Sequence, residues 1–375
     1  MIMIMRYVIA FCKKFLLKKY VRQIVQHEKS FEEQVVVSNL KINELVPLTH
    51  DEEHQVDICF GETVGSYLEL ALFKKIRGFD PRYVSHYMYL PVIAHKLNDY
   101  HYTKFLEHKS LQGIIAKGQM KHPHCYVRCI NQEYYNNEME QLTFEQALSE
   151  CIVHDELIIK DSVNSSGGNS VEKLLLKGSI KDREKDLLRV FAERKHDFVI
   201  QECLKQHSSF SKYNETSINT LRITSLYLNG KFTVLSIILR FGQKGMNVDN
   251  WGACGIIVGV DVEGNLCDYG YDIYINRYDS YNGIRFSNQK LTQVPDLLRL
   301  IEKEHTTAYS LCKFIGWDIC YNELNEPIII ELNTSQPGVI GEQLCTGPIF
   351  GDRTQEVIDY CRGKDFKYSK SLLTF

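Results

Sequence analysis

The most informative residues of this chain are Trp317-Asp318-Ile319 and, beginning thirteen residues after Asp318, Glu331-Leu332-Asn333-Thr334-Ser335-Gln336-Pro337-Gly338. Each stretch belongs to an apolar run, and a polar turn separates the two runs, which predicts a pair of antiparallel strands. Such a pair brings Asp318 beside Glu331. Asn333 faces the same side as Glu331 because side chains alternate along a strand.

These three side chains predict a magnesium site. Two carboxylates and an amide oxygen are hard ligands, and they suit a Mg²⁺ ion that also binds phosphate and water. Carboxylates on interior strands would be costly without a cation nearby. The alternative is an exposed polar hairpin, which the adjoining apolar run Ile328-Ile329-Ile330 disfavours.

A phosphate site is predicted farther upstream. Lys160 ends the predicted strand Glu156–Lys160 and is soon followed by the loop Asn164-Ser165-Ser166-Gly167-Gly168-Asn169-Ser170. The lysine supplies a point charge, and small residues let backbone N–H groups approach phosphate oxygens closely. Together with a magnesium site downstream, the pair indicates a phosphate-bearing ligand.

Two arginines complete the candidate site. Arg222 follows Asn219-Thr220-Leu221 near the start of one predicted strand, and Arg240 ends the next. The turn Asn229-Gly230 between them predicts a hairpin, so both side chains can face one cleft. Arginines in a cleft stabilise a phosphoryl group or bind a carboxylate. The alternative is a pair of surface ion-pair arginines.

The order of predicted elements indicates an α+β architecture rather than a Rossmann fold, because few crossover helices separate the strands. Neither GxGxxG nor a P-loop motif is present. The predicted helices are Gly61–Arg77, Tyr87–Asp99, Leu142–Cys151, Asp182–Glu193 and Val294–Lys313, with a short α/β element at Leu111–Lys121. The predicted strands are Glu156–Lys160, Val171–Leu176, Phe198–Leu204, Asn219–Leu228, Phe232–Arg240, Gly255–Val262, Phe314–Tyr321 and Pro327–Leu332.

Composition excludes several classes of protein. The chain has 375 residues with 44 basic and 47 acidic side chains, a net charge of −3, which disfavours a general nucleic-acid binder. Its 12 cysteines are scattered without a CxxC motif, which indicates free thiols in a reducing cytosol. Residues 1–30 predict a basic amphipathic helix that either lies on an anionic membrane surface or packs on the body of the protein.

The chain resembles the ATP-grasp superfamily, and in particular the ATP-grasp proteins associated with sugar transfer and cell-surface polysaccharide synthesis. The resemblance covers roughly residues 79–360. It is carried by Ile158-Ile159-Lys160, the loop 164–170, Ile200-Gln201-Glu202, Ser217-Ile218-Asn219-Thr220-Leu221-Arg222, Leu239-Arg240, Val248-Asp249-Asn250, Ile315-Gly316-Trp317-Asp318 and residues 331–338.

The resemblance implies an organisation as well as a fold. It divides the chain into the basic helix 1–30, a helical N-terminal region 31–105, a first lobe 106–204, a second lobe 205–362 and a tail 363–375. The two α+β lobes would grip ATP between them. The glycine-rich loop belongs to the first lobe and the metal site to the second.

The resemblance also implies a role for each matching residue. Lys109 and Lys160 would hold phosphates, and Ser165, Ser166, Gly167 and Gly168 would fold over them. Gln201, Glu202 and Leu204 would form the adenine hinge. Asp318, Glu331 and Asn333 would bind two Mg²⁺ ions, with Mn²⁺ as an alternative. Arg222 and Arg240 would be catalytic, and Asn219, Asp249 and Asn250 would lie near the acceptor. Two positions depart from the family pattern: His207 or Gln206 replaces the usual ribose-binding acid, and Gly316 replaces an arginine that some ligases carry.

The implied activity is an ADP-forming carboxylate–amine ligase with an acylphosphate intermediate. It would join an amino acid or amine to a sugar acid or amino acid during cell-surface polysaccharide synthesis. Its substrates would be small or sugar-linked, with no nucleic acid involved, and it would act in the cytoplasm, at the inner face of the membrane if residues 1–30 bind there. One alternative is a kinase on the same fold. Another is an inactive nucleotide-binding regulator, which the complete metal set disfavours.

Overall fold

The computed structural model describes residues 45–61, 67–115, 118–163, 171–194, 196–246 and 248–362. The predicted basic helix 1–30 and the tail 363–375 lie outside the described residues. So does the predicted phosphate loop 164–170, with Ser165, Ser166, Gly167 and Gly168. Within the described ranges, no helix is both long and apolar enough to cross a membrane.

The described part of the N-terminal region is helical. Its elements are α1 (His50–Phe60), α2 (Leu68–Arg77), α3 (His86–Met88), a π-helical turn (Tyr89–Ala94), α4 (His95–Leu97) and α5 (Tyr100–Glu107). The predicted start of the second helix at Gly61 is wrong, because Gly61 adopts φ 66° and caps the end of α1. Helix α1 is not among the helices that the sequence predicts.

The first sheet has six antiparallel strands in the order β3-β2-β1-β6-β4-β5. The strands are β1 (Cys125–Ile130), β2 (Glu133–Tyr135), β3 (Gln141–Leu142), β4 (Glu156–Asp161), β5 (Val171–Leu175) and β6 (Phe198–Glu202). Strands β1 to β3 were not predicted. The α/β element predicted at Leu111–Lys121 is also wrong, since a 3₁₀ turn, Lys109–Leu111, is the only regular element of its described part.

Two helices cover one face of this sheet. They are α6 (Phe144–Ile152) and α7 (Ile180–Glu193), and both pack on an apolar core that includes Leu157, Ile159 and Phe198. Helix α6 begins with the predicted capping box, in which the Thr143 hydroxyl accepts the Gln146 N–H and the Gln146 amide accepts the Thr143 N–H. Alternation along β4 then leaves Ile158 and Lys160 on the opposite face.

The second sheet has seven antiparallel strands in the order β11-β10-β9-β8-β7-β14-β15. The strands are β7 (Thr220–Leu228), β8 (Lys231–Phe241), β9 (Ile256–Val260), β10 (Leu266–Tyr271), β11 (Arg277–Tyr278), β14 (Phe314–Tyr321) and β15 (Pro327–Asn333), with a separate ribbon of β12 (Ser280–Tyr281) and β13 (Ile284–Arg285). The predicted Asn229-Gly230 hairpin is confirmed. Both turn residues have positive φ, 52° and 75°, as a two-residue hairpin turn requires.

Helices cover this sheet on both faces. The remaining helices are α8 (Ser208–Ser211), α9 (Val294–Thr306), α10 (Ile340–Thr346) and α11 (Thr354–Arg362). Helix α9, which ends seven residues before the predicted Lys313, packs on a core containing Ile315, Trp317 and Ile319. The N-terminal helices, α10 and α11 share a second core with Phe314. The strand that carries Asp318 is thus buried at every position.

Candidate active site

The strand register brings the predicted metal residues together. In the β14–β15 pair Asp318 lies opposite Glu331, and Gly316 lies opposite Asn333. In the β14–β7 pair Asp318 lies opposite Arg222. The Asn333 amide donates to the Asp318 carboxylate at 3.3 Å. The four side chains therefore meet where β7, β14 and the edge strand β15 run side by side.

Asp318 is buried and is held by two arginines. Arg222 Nε donates to Asp318 Oδ1 at 2.5 Å and Nη2 to Oδ2 at 2.8 Å, a bidentate contact. Arg240 Nη1 adds a bond to Oδ1 at 3.2 Å. Burial by itself would raise the pKa of Asp318, but the charges of Arg222 and Arg240 outweigh burial and hold that pKa below its ordinary value. The carboxylate is therefore ionised at neutral pH.

The two predicted phosphate lysines lie next to this cluster. Lys109 Nζ bonds Glu331 Oε1 at 2.8 Å, although 222 residues separate the two in the chain. Lys160 projects from β4 into the same space. Burial, with the positive charge of Lys109 as the second cause, lowers the pKa of Lys160. Two cations thus face the carboxylates from the first lobe, as a triphosphate site requires.

A cavity of about 150 Å³ lies between the two sheets. Ten of the predicted site residues line it: Lys109, Lys160, Gln201, Glu202, Leu204, Arg240, Asp249, Asn250, Asp318 and Glu331. Ile158 from β4 and Ile330 from β15 line it as well and provide apolar walls, which the sequence reading did not single out. Apolar walls beside convergent charges suit a ligand with a flat ring and phosphates.

The predicted acceptor residues Asp249 and Asn250 lie at the arginine end of this cavity. Arg240 Nη2 donates to Asp249 Oδ1 at 3.0 Å, and the Thr220 hydroxyl donates to the other carboxylate oxygen. Asn250 caps a 3₁₀ turn, where its side chain accepts the Gly252 N–H at 2.7 Å. Arg240 therefore links the acceptor residues to Asp318.

Four of the described predicted residues do not line the cavity. Arg222 and Asn333 contact Asp318 beside it, whereas Asn219 and His207 have other roles. Asn219, predicted to contact substrate, is fully buried, and its amide is used by Gln206 and by the carbonyls of Phe210 and Asn214. This prediction is corrected, because no donor or acceptor of Asn219 remains for a ligand. His207, predicted near the ribose, instead caps α8 by accepting the Ser209 N–H. Gln206, its alternative, is held by Asn219.

Two further acids support the site and were missed. Glu342 on α10 is buried 3.5 Å from Arg222 Nη1. Glu107 at the end of α5 accepts the N–H groups of Thr334 and Ser335, at 2.7 and 2.6 Å, just beyond Asn333. Glu342 holds Arg222 in place, and Glu107 holds the segment that follows Asn333. The sequence signal for these acids was their position, since Glu342 comes four residues after Gly338 and Glu107 two residues before Lys109.

The donor set fits a magnesium ion that also binds phosphate. Among the described residues, no three His, Cys, Asp or Glu side chains could hold a metal by themselves. Asp318, Glu331 and the Asn333 amide leave several positions for water and phosphate, which is the usual Mg²⁺ arrangement. Lys109, Lys160, Arg222 and Arg240 balance the charges of Asp249, Asp318, Glu331 and Glu342. A metal ion would therefore enter together with an anion.

Comparison with known proteins places the chain in a family. Residues 93–359 match the model of the sugar-transfer associated ATP-grasp family. No curated protein sequence matches the chain.

Similar solved structures include the D-alanine–D-alanine ligase of Helicobacter pylori, at 14% identity and a TM-score of 0.40, which pairs 70% of this chain with 62% of that chain. They also include the biotin carboxylase domain of the Hydrogenobacter thermophilus 2-oxoglutarate carboxylase, at 12% identity and a TM-score of 0.43. That alignment covers 85% of this chain and 58% of the other chain. The chain thus spans less than two-thirds of the length of either structure. The family match extends over more than two-thirds of the present chain, which therefore belongs to the sugar-transfer associated ATP-grasp family and has the ATP-grasp fold.

Proposed function

We propose that this protein is an ATP- and Mg²⁺-dependent carboxylate–amine ligase that forms ADP. The observation that carries the proposal is the meeting of Lys109, Lys160 and Arg240 with Asp318 and Glu331 around one cavity. Cations placed beside a metal-type carboxylate pair suit phosphoryl transfer, where catalysis consists of positioning and charge stabilisation. The family membership supports ATP as the phosphoryl donor.

ATP would enter between the two sheets. Ile158 and Ile330 would pack on the adenine, and the hinge backbone at Gln201, Glu202 and Leu204 would bond its edge. Lys109 and Lys160 would hold the phosphates, and the loop 164–170 would cover them. Lys109 now bonds Glu331, so phosphate binding would draw Lys109 away and leave that carboxylate for a metal ion.

The metal residues in this proposal are Asp318, Glu331 and Asn333, with two Mg²⁺ ions expected and Mn²⁺ as a substitute. When bound, the ions would neutralise charge on the phosphates and orient them. Arg222 and Arg240 now share the Asp318 carboxylate. Once a triphosphate is present, the same guanidinium groups would turn toward the transferred phosphoryl group.

The reaction would proceed in two steps. An acceptor carboxylate attacks the γ-phosphorus, the bond to the β-phosphate oxygen breaks, and ADP and an acylphosphate result. An amine then attacks the acyl carbon, phosphate leaves with the bonding electrons, and the amine loses a proton to give an amide. Asp249 and Asn250, beside Arg240, would orient the acceptor.

The proposed substrates are a sugar acid or an amino acid and an amine, free or sugar-linked. The family's description, sugar-transfer associated, supports a role in cell-surface polysaccharide synthesis. The protein would use ATP in the cytoplasm. The alternative is a kinase on the same fold. It would transfer the phosphoryl group to a hydroxyl or similar acceptor and stop there, without an amine and without release of phosphate.

Product analysis separates the two reactions. The protein is incubated with ATP, Mg²⁺ and panels of sugar acids and amines, and ADP, free phosphate and new masses are measured. The ligase predicts ADP, free phosphate and a product one water lighter than its two substrates together. A phosphorylated acceptor without free phosphate would establish the kinase instead. Unchanged ATP turnover in Asp318→Asn and Glu331→Gln would contradict both.

A further inference from the structure

A second and larger cavity adjoins the nucleotide cavity at the hinge. Its volume is about 870 Å³, which lies in the range of small-molecule sites. Its walls come from the residues before and within β1, from the hinge and from the turn between β14 and β15. Among the residues that the structure describes, the two cavities share Pro123, Glu202 and Leu204. Lys109, Lys160, Asp318, Glu331 and Asn333 do not line the second cavity.

A buried arginine that has no acidic partner in the described part of the chain lines this cavity. Arg128 on β1 is 4% exposed, and its guanidinium donates to the carbonyls of Ser110 and Gln112 at 3.0 and 3.3 Å. Its Nε has no acceptor among the described residues. Arg353, the other arginine with a comparably buried side chain, pairs with Glu356 at 2.7 Å. A buried cation is costly without a counter-charge, so Arg128 calls for an anion.

Most acids around the cavity already have a basic partner. Asp155 pairs with Arg183, Glu156 with Lys173 and Glu326 with Lys121, at 2.6 to 2.9 Å. Glu202 accepts the backbone N–H of His124 at 2.6 Å. Glu323 is exposed in the β14–β15 turn, and the exposed Lys205 lies on the same cavity. Of the cations that line the cavity, Arg128 is therefore the buried one, whereas Lys121 and Lys205 are exposed.

The cavity also contains an aromatic surface beside this charge. The ring of Tyr126 stacks on His154 at 3.9 Å, and the ring of His124 meets Tyr126 edge-on at 5.1 Å. The buried Nδ1 of His122 has no hydrogen-bond partner within the ranges that the structure describes. Burial, followed by the charge of Arg128, lowers the pKa of His122 to about 4, so the ring is a neutral hydrogen-bonding group at pH 7. Such walls suit a hydroxyl-rich ring rather than an apolar one.

We propose that this cavity is a second binding site, for a sugar that carries an oxyanion, either a carboxylate or a phosphate. Arg128 would bond the anion, His122 a hydroxyl, and the Tyr126–His154 pair would pack against the ring. Because Glu202 and Leu204 line both cavities, the sugar and the nucleotide can bind together. The site does not rest on the ligase proposal, since binding is measured without turnover.

Calorimetry on the full chain tests the site. Glucuronate and glucose 6-phosphate are titrated separately, with glucose as the uncharged control and with a non-hydrolysable ATP analogue absent or present. At least one of the two anions is expected to bind saturably and glucose is not, and the result distinguishes a carboxylate from a phosphate site. Binding is expected to persist when the ATP analogue is bound.

Three variants locate the site. Arg128→Met is expected to weaken anion binding by about tenfold or more, the effect of losing a charge-assisted hydrogen bond. His154→Ala, at a half-buried position in the turn after α6, removes the ring that stacks on Tyr126 and is expected to weaken binding several-fold. Arg299→Met makes the same change as Arg128→Met at an exposed site on α9 and is expected to have no effect.

Three results would overturn the proposal. The first is the absence of saturable binding by either anion at millimolar concentration. The second is equal binding in the parent chain and in His154→Ala, which remains informative even if Arg128→Met fails to fold. The third is complete displacement by the ATP analogue, which would make the cavity part of the nucleotide site.

Discussion

Asp318 shows how one buried carboxylate organises the candidate site at the scale of a residue. It accepts from Arg222, Arg240 and the Asn333 amide, so three side chains depend on it for their positions. The two arginines in turn bond Asp249 and lie beside Glu342. Replacing any member of this network leaves a buried charge with fewer partners.

Arg222→Met is expected to lower kcat for ADP formation by about a hundredfold or more. Removing one hydrogen-bond donor that stabilises the charge developing in a transition state has an effect of about this size in other enzymes. Arg222→Lys keeps the charge but not the bidentate geometry, so it is expected to recover only part of that loss. The measurement is steady-state ADP release by folded protein, checked by circular dichroism. A change under threefold in Arg222→Met would place the transferred phosphoryl group elsewhere.

Asn219 and Asn250 form a matched pair that separates a structural asparagine from a ligand-facing one. Asn219→Ala removes bonds to two buried carbonyls, so it is expected to lower the free energy of unfolding by about 2 kcal/mol. The KM values of the folded protein should not change. Asn250→Ala, on the cavity wall, is expected to raise the acceptor KM. It should lower the free energy of unfolding by less than Asn219→Ala does, because it removes one cap bond, to the Gly252 N–H. A raised acceptor KM in Asn219→Ala would restore the role that the sequence had suggested.

At the scale of elements, the helices and strands with a clear local sequence pattern were the ones that the sequence predicted. The hairpins β7–β8 and β14–β15 were predicted because apolar runs flank clear turn residues. Strand β1 was missed because Cys125-Tyr126-Val127-Arg128-Cys129-Ile130 has no clean alternation. Its Arg128 is buried, with its guanidinium bonded to the carbonyls of Ser110 and Gln112. Helix α1 was missed because its sequence is mostly polar. Their stability comes from distant partners, which local sequence does not show.

Helix α9 and strands β7 and β14 are joined by a buried hydrogen-bond chain that predicts a pH effect. Trp317 Nε1 donates to Ser225, the Ser225 hydroxyl donates to His305 Nδ1, and His305 Nε2 donates to the Cys312 carbonyl. Burial lowers the pKa of His305 from 6.5 to about 4. Above pH 6.5 the imidazole is neutral both folded and unfolded, so stability is unaffected there.

As the pH falls below 6.5, the unfolded chain binds a proton that the folded protein accepts only near pH 4. The free energy of unfolding should fall by about 3 kcal/mol over that interval through His305 alone. Urea unfolding at several pH values measures this slope in the parent and in His305→Gln, which should lack that part of it. His50→Gln, at an exposed position, is the control. Equal slopes in the parent and in His305→Gln would show that His305 is not the titrating group.

For the whole molecule, the cleft lies between two sheets that pack on separate hydrophobic cores, and charged contacts cross it. Lys109 from the first lobe bonds Glu331 of the second, and the hinge follows β6 at Glu202. The sequence could predict which residues carry charge, but not that each carboxylate already has a cation. That balance depends on the packing of both lobes, and it determines how ligands can enter.

The charge balance predicts that metal and nucleotide stabilise the protein together. Mg²⁺ alone must compete with Arg222, Arg240 and Lys109 for Asp318 and Glu331, so it is expected to leave Tm nearly unchanged. A non-hydrolysable ATP analogue draws those cations to its phosphates. With Mg²⁺ and a hundredfold excess of analogue over its Kd, Tm should rise by about 5 °C.

Thermal unfolding in buffer, with Mg²⁺, with the analogue and with both ligands measures this coupling. The rise with both should exceed the sum of the separate rises, and the Asp318→Asn/Glu331→Gln variant should lose that excess because its metal ligands are weakened. A full shift with Mg²⁺ alone would mean that the carboxylates are already open to a cation. In that case the arginine and lysine contacts would not control access to the site.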